Sequence, residues 1–220
     1  MTAPRTALLA GATGFVGGEC LTRLLAHPAW STVIALTRRD ISGRLASPKL
    51  RQIMTDFKTL DRERDRLLAD HVFCALGTTM RKAGSRAAFR EVDFEYPLRL
   101  ARLTRTNGAR HFSLVSAVGA DRHSAFYYSR VKGELEEELT AMDWPSLAIF
   151  RPSVIEGERG ESRPLERLSS RLLRLAPPAW QPVAAADIAA AMVSVALEPP
   201  PGVTIVESRN IREMGTFSIS

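Results

Sequence analysis

Ser116, Tyr128 and Lys132 are of types and at spacings that can carry out acid–base chemistry on an oxygen. Tyr128 and Lys132 bound the run Tyr-Ser-Arg-Val-Lys, so at i and i+4 they share one face of a helix. A phenol with an ordinary pKa of about 10 exchanges protons poorly at neutral pH. A neighbouring ammonium favours the phenolate and brings that exchange within reach. The phenol can then trade a proton with a substrate oxygen while hydride moves to or from the adjoining carbon. Ser116 lies twelve residues before Tyr128 and can hydrogen-bond the same oxygen. Lys132 can also reach a cofactor ribose. Tyr127 adjoins Tyr128 but lacks the four-residue spacing to Lys132. Taken alone, a Tyr-xxx-Lys pair also decorates ordinary helices, so its meaning depends on what else the chain carries.

Residues 6 to 17 carry that context. An apolar run, Ala7 to Ala10, meets Gly11, Gly14 and Gly17, and a helical pattern begins at Phe15. This is the order of a strand, a tight turn and a helix whose first N–H groups bind an anion. Gly11 suits the turn, Gly14 lets the backbone approach a pyrophosphate, and Gly17 lets the helix pack close to the sheet. A strand-turn-helix without ligand has the same outline.

The elements that must position these groups alternate along the chain. Strands are expected near Ala7–Ala10, Val33–Leu36, Leu50–Met54, Val72–Ala75, His111–Val115, Leu147–Phe150 and Val203–Val206. Helices are expected near Phe15–Ala26, Asp61–Leu68, Arg86–Thr106, Tyr127–Ala141, Leu165–Leu175 and Ala185–Leu197. Such alternation implies βαβ crossovers and an α/β fold: a Rossmann-type, doubly wound parallel sheet flanked by helices. Ligands then sit beyond the carboxyl ends of the strands.

The residues at those ends extend the reading. Thr37-Arg38-Arg39-Asp40 follows the second strand. Two guanidinium groups where an acid would bind a ribose diol favour NADP(H) over NAD(H), since arginine holds a 2′-phosphate through a bidentate pair. Asp40 keeps an approach to the ribose open. Asp56, after the third strand, either accepts a bond from adenine, with Phe57 beside the ring, or caps the next helix. Leu76-Gly77-Thr78 after the fourth strand lets the backbone pass close to the cofactor, although a plain turn looks similar.

Composition bounds the rest. The chain has 220 residues, 45% hydrophobic and 25% charged, enough for one domain with a real core. No apolar run approaches the roughly 20 residues that span a bilayer, and the first residues lack a secretory leader pattern. The net charge is +6. Its arginines interleave with acids, as in Asp61-Arg-Glu-Arg-Asp-Arg66, which reads as a solvated helix face rather than a specific nucleic-acid surface. Cys20 and Cys74 lack metal-ligand spacing and read as small buried hydrophobes, which suits a cytoplasmic protein.

With these motifs in hand, the chain resembles the short-chain dehydrogenase/reductase superfamily, of the atypical or extended kind. Within it the chain is similar to the TIP30-like oxidoreductase group. The likeness rests on Gly11 to Gly17, Leu76-Gly-Thr-Thr79, Arg81-Lys-Ala-Gly-Ser85, Val92-Asp93, Ser116 with Gly119-Ala-Asp121, Tyr128-xxx-Val-Lys132-Gly-Glu134 and Phe150-Arg-Pro152. It implies an NADP(H)-dependent oxidoreductase acting on a small carbonyl or alcohol. By that resemblance Ser116 orients the substrate oxygen, Tyr128 is the acid/base and Lys132 assists. Thr13, Gly14, Phe15 and Val16 would bind the pyrophosphate, Arg38 the 2′-phosphate, and Pro152, Ser153 and Val154 the carboxamide. Ala117 departs from the pattern, since many relatives carry a second serine there. Larger members have a C-terminal substrate domain. Here little chain remains for one, and residues 152–182 are expected to form a small lid bearing Leu165, Leu168, Leu172, Leu173 and Trp180. His123 either faces the site or is a solvated loop residue. The alternative to an enzyme is an NADP(H)-binding regulatory or scaffold protein with little turnover. The expected partner is a small-molecule substrate, with a homodimer as the ordinary oligomer.

Overall fold

The computed structural model describes residues 4–41, 43, 46–156 and 181–217. Seven strands form one parallel sheet: β1 (Arg5–Ala10), β2 (Trp30–Thr37), β3 (Leu50–Met54), β4 (His71–Cys74), β5 (His111–Val115), β6 (Ser146–Arg151) and, after a short pair, β9 (Gly202–Glu207). Their order is β3-β2-β1-β4-β5-β6-β9. The order reverses between β1 and β4, and that crevice is where a doubly wound sheet receives its ligand. β7 (Ile155–Glu156) and β8 (Val183–Ala184) form a separate parallel pair. Two residues each is too short for a period to show in sequence.

Alternation along β1 divides the core in two. Ala7 and Leu9 point to one face with Leu21, Leu24, Trp30, Phe73, Ile188 and Met192. Leu8 and Ala10 point to the other with Leu36, Leu100, Phe112, Val131, Leu135 and Ile149. The first face is covered by α1 (Phe15–Ala26) and by Ala185–Leu197, and the second by Tyr96–Thr106 and Tyr127–Thr140. Burial of both faces explains why the inner strands β1, β2, β4, β5 and β6 read as largely apolar runs.

Two expected helices take a different form. Asp61–Leu68 overlaps a 3-10 helix over Phe57–Arg66, which starts earlier and ends two residues sooner, and whose start is capped by Asp56 accepting from the Lys58 N–H at 3.1 Å. The helix expected over Arg86–Thr106 is three pieces: α3 (Arg86–Arg90) after the short α2 (Met80–Ala83), a π-helical turn over Glu91–Glu95, and α4 (Tyr96–Thr106). Pro97 supplies the reason. It has no N–H to give the carbonyl four residues earlier, that of Asp93, and its ring crowds that group, so the helix widens. α5 (Tyr127–Thr140) and α6 (Ala185–Leu197) follow expectation, and α7 (Ser208–Phe217) was not foreseen. The expected helix at Leu165–Leu175 and most of the expected lid lie outside the described residues. Cys20 and Cys74 are buried and unpaired, and burial pushes their thiols up to about 12 and about 11.

Opposite the ligand end, His71 opens β4 and His111 opens β5, their ring centroids 5.4 Å apart. Both His111 nitrogens meet hydroxyls, Ser146 at 2.9 Å and Ser113 at 2.8 Å. Burial, aided by Arg5, lowers His71 to about 4, and burial with His71 beside it lowers His111 to about 3. Unfolded histidines hold a proton below about 6.5. The unfolded chain therefore binds more protons as pH falls below that value, and stability drops until the folded rings protonate. Urea unfolding at fixed ionic strength should lose on the order of 3 kcal/mol per histidine, about 6 kcal/mol from the pair, between pH 7 and pH 4. A His71→Phe variant should show a shallower loss, and an equal slope in both proteins would refute the assignment.

Candidate active site

The glycine turn follows directly from close approach. Gly11 has φ 93°, and a Cβ there would come within 2.5 Å of the Ala75 carbonyl oxygen at the end of β4. Gly14 caps α1 and gives its N–H to the Gly11 carbonyl at 2.9 Å. A Cβ on Gly17 would overlap that same carbonyl. Thr13 and Phe15 are exposed at the mouth of the turn, and Val16 is buried beneath it. The result is a cradle of bare backbone at the N-terminus of a twelve-residue helix. A dinucleotide pyrophosphate fits such a cradle, since any side chain on these glycines would fill it.

At the tip of β2, Thr37 is buried while Arg38, Arg39 and Asp40 are exposed. Gln52 of β3 organises this loop. Its amide N–H group donates to Thr37 Oγ1 and to the Arg39 carbonyl at 2.7 Å, and its Oε1 accepts from the Ile41 N–H at 3.2 Å. A cleft of about 380 Å³ lined by Asp40, Gln52, Met54 and Arg66 opens beside it, on the outer strand of the sheet rather than at Tyr128. The sequence reading missed Gln52, for nothing in its spacing marks a side chain that ties two strand ends together.

Tyr128 and Lys132 sit on the first turns of α5. Tyr128 is 38% exposed, with its ring 5.5 Å from Phe89, whereas Lys132 is 3% exposed. The Lys132 ammonium lies 2.8 Å from Asp93 Oδ1. Burial works against its charge, but Asp93, with Tyr128 and Cys74, outweighs burial and holds the ammonium above its ordinary value. The other Asp93 oxygen accepts from the Thr78 N–H at 2.9 Å, within the Leu76-Gly77-Thr78 loop. Tyr127 is differently engaged: its hydroxyl donates to the Arg86 carbonyl at 2.9 Å, with Arg86 and Arg130 against its ring.

Ser116 is buried at the carboxyl end of β5, and its hydroxyl donates to Glu136. Glu136 lies one turn beyond Lys132 and two beyond Tyr128, about 12 Å of helix rise from the latter. Arg151, at the end of β6, binds Glu136 through Nη2 at 2.6 Å and Nε at 3.2 Å, and Glu207 at 3.2 Å. The hydrogen bond to Glu136 is the main reason the Arg151 guanidinium is raised further above its usual value. The structure thus brings Lys132 to Asp93 and the Thr78 loop, and spends the Ser116 proton on Glu136. Helical spacing alone, Tyr128–Lys132–Glu136, could have pointed to Glu136.

Of the remaining residues, Pro152 accepts the Val118 N–H at 2.9 Å, and the Ser153 hydroxyl donates to the Gln181 carbonyl. Val154 is 53% exposed, and its carbonyl accepts from Val183 at 2.9 Å. His123 is exposed in a loop, its N–H on Asp121 at 2.9 Å. Among the described residues there is no group of three or more His, Cys, Asp and Glu that could hold a metal, and no helix long and apolar enough to cross a membrane.

Known proteins share this architecture. Residues 7–176 match the model of the NAD dependent epimerase/dehydratase family. Protein HTATIP2 of Rattus norvegicus is 33% identical over 97% of this chain and 90% of its own length. The mitochondrial protein fmp52 of Emericella nidulans is 35% identical over 73% of this chain and 71% of its own. Among solved structures, an oxidoreductase of the short-chain dehydrogenase/reductase family from Burkholderia thailandensis superposes with a TM-score of 0.74 over 95% of this chain and 93% of its own, at 18% identity.

Proposed function

The chain belongs to the NAD dependent epimerase/dehydratase family, and from that premise we propose that it is an NADP(H)-dependent oxidoreductase of a small carbonyl or alcohol. The observation that carries the reading is a buried, charged Lys132 one helical turn from an accessible Tyr128, at the same end of the sheet as the glycine cradle. Gly11, Thr13, Gly14, Phe15, Val16 and Gly17 would hold the pyrophosphate. Arg38 and Arg39 would hold the 2′-phosphate, Leu76, Gly77, Thr78 and Asp56 the adenosine and ribose side, and Pro152, Ser153 and Val154 the carboxamide. When bound, the nicotinamide supplies or accepts the hydride.

This chain's own residues manage the proton. In reduction Tyr128 Oη gives its proton to the carbonyl oxygen as the carbon takes up hydride; in oxidation it removes the proton from the alcohol. Lys132 supplies positive charge beside that oxygen and a donor for the ribose. Ser116 already donates to the carboxylate of Glu136, which Arg151 also binds, so its oxygen is suited to accept from a substrate hydroxyl rather than to donate to a carbonyl.

Titration with NADPH and NADH, followed by calorimetry, tests the reading. NADPH should bind about tenfold tighter or better, the size of one charge-assisted phosphate pair, and Arg38→Ala should close the gap. Binding of neither cofactor would overturn the assignment. Binding with no NADPH oxidation across a broad carbonyl panel would transfer the reading to a regulatory NADP(H)-binding protein.

A further inference from the structure

We propose that Asp93 is the positioning residue of this site: its buried carboxylate fixes the Lys132 ammonium and the Gly77–Thr78 backbone to one another, so that cofactor ribose and proton donor are met in a single register. The role rests on the reading of Tyr128 and Lys132 as the acid–base pair, and it gives a task to Asp93, which the resemblance carried without one. Three observations carry it. Asp93 and Lys132 are 1% and 4% exposed at their side chains and 2.8 Å apart, so neither charge has water to fall back on. The second carboxylate oxygen is committed to the Thr78 N–H at 2.9 Å. Gly77 closes the triangle, since a Cβ there would lie 3.4 Å from Asp93 Oδ1 and 3.9 Å from Lys132 Nζ.

The backbone explains why Asp93 points where it does. It lies at the centre of the π-helical turn over Glu91–Glu95, four residues before Pro97. The wider turn created by the proline is what carries Asp93 into the sheet crevice while its exposed neighbour Glu95 stays outside. A regular helix would shift the register of residues 91–95 relative to α4. Lys132 is thus faced by Asp93 from the π turn, by Tyr128 from its own helix and by Cys74 from β4, and of these Asp93 is the one that ion-pairs with it, at 2.8 Å.

Asp93→Asn keeps the shape and an acceptor for Thr78 but removes the counter-ion. A buried lysine without an anion discharges at much lower pH. Its folded pKa then falls below that of the unfolded chain, so stability rises with pH. Thermal melting without cofactor should therefore show an Asp93→Asn deficit against the native protein that shrinks by about half or more between pH 7 and pH 9. A deficit constant with pH marks a merely structural role and overturns the proposal. Asp93→Asn/Lys132→Met removes both charges. It should melt above Asp93→Asn at pH 7, including the case where the single variant does not fold, and melting no higher refutes the pairing.

The second readout is cofactor affinity. Native NADPH affinity should hold steady from pH 7 to pH 9, while that of Asp93→Asn weakens about tenfold as Lys132 discharges. Parallel profiles in the two proteins would sink the link to the ribose. The melting experiment needs no ligand, so failure of NADPH binding in the native protein would be read against the oxidoreductase assignment and not against the Asp93–Lys132 pair.

Discussion

Tyr128→Phe lowers kcat by about 100- to 10,000-fold, the range removed with a general acid–base group, and leaves NADPH affinity unchanged. The substitution deletes one oxygen. The ring keeps its packing against Phe89, 5.5 Å away, and α5 keeps its backbone. Tyr127 cannot take over, because its hydroxyl is held by the Arg86 carbonyl and its ring by two guanidinium groups. Tyr127→Phe should accordingly retain turnover. The measurement is steady-state NADPH oxidation with the best substrate of a carbonyl panel, beside a calorimetric titration of each variant. Native kcat in Tyr128→Phe would remove the phenol from the mechanism.

Gly17→Ala is expected to lower stability by more than about 3 kcal/mol, a drop of roughly 10 °C in Tm for a chain of this size, and to abolish cofactor binding. The added Cβ falls on the carbonyl oxygen and carbon of Gly11, which are backbone atoms. No flexible side chain is present to yield, so α1 must move away from the turn that it presses against. Gly18 is the control. A Cβ there meets only the Ala12 carbonyl oxygen, at 3.8 Å, and alanine suits a helix interior by about 1 kcal/mol. Gly18→Ala should melt at or above the native temperature. Equal melting of the Gly17 variant and the native protein would show that the cradle does not depend on that contact.

Much of the fold was legible because both sheet faces are buried. A strand covered on two sides needs a largely apolar run, and the inner strands β1, β2, β4, β5 and β6 announce themselves in that way, while the edge strands β3 and β9 stay largely unburied. The glycine turn was legible because backbone crowding at Gly11 and Gly17 excludes every other residue type. The π turn was not legible. Residues 86–106 carry helical periodicity throughout, and Pro97 reads equally as a residue inside the first turn of a new helix. Only packing against the sheet shows how the chain resolves it. Asp56 was left open between cap and adenine contact, and the bond from Lys58 shows the cap in place.

Local rules of periodicity, turn chemistry and i,i+4 spacing act on neighbours in the chain, so the sequence by itself determined the parallel α/β architecture, the glycine cradle and the Tyr128–Lys132 face. The partners of those groups come from far along the chain. Asp93 reaches Lys132 across 39 positions, Arg151 reaches Glu136 on α5 from the end of β6, and Gln52 holds the loop after β2. Such pairings depend on where the crossovers bring strand ends together. Tertiary structure alone therefore decided that Ser116 spends its proton on Glu136, and that a single buried carboxylate stands between the lysine and the loop after β4.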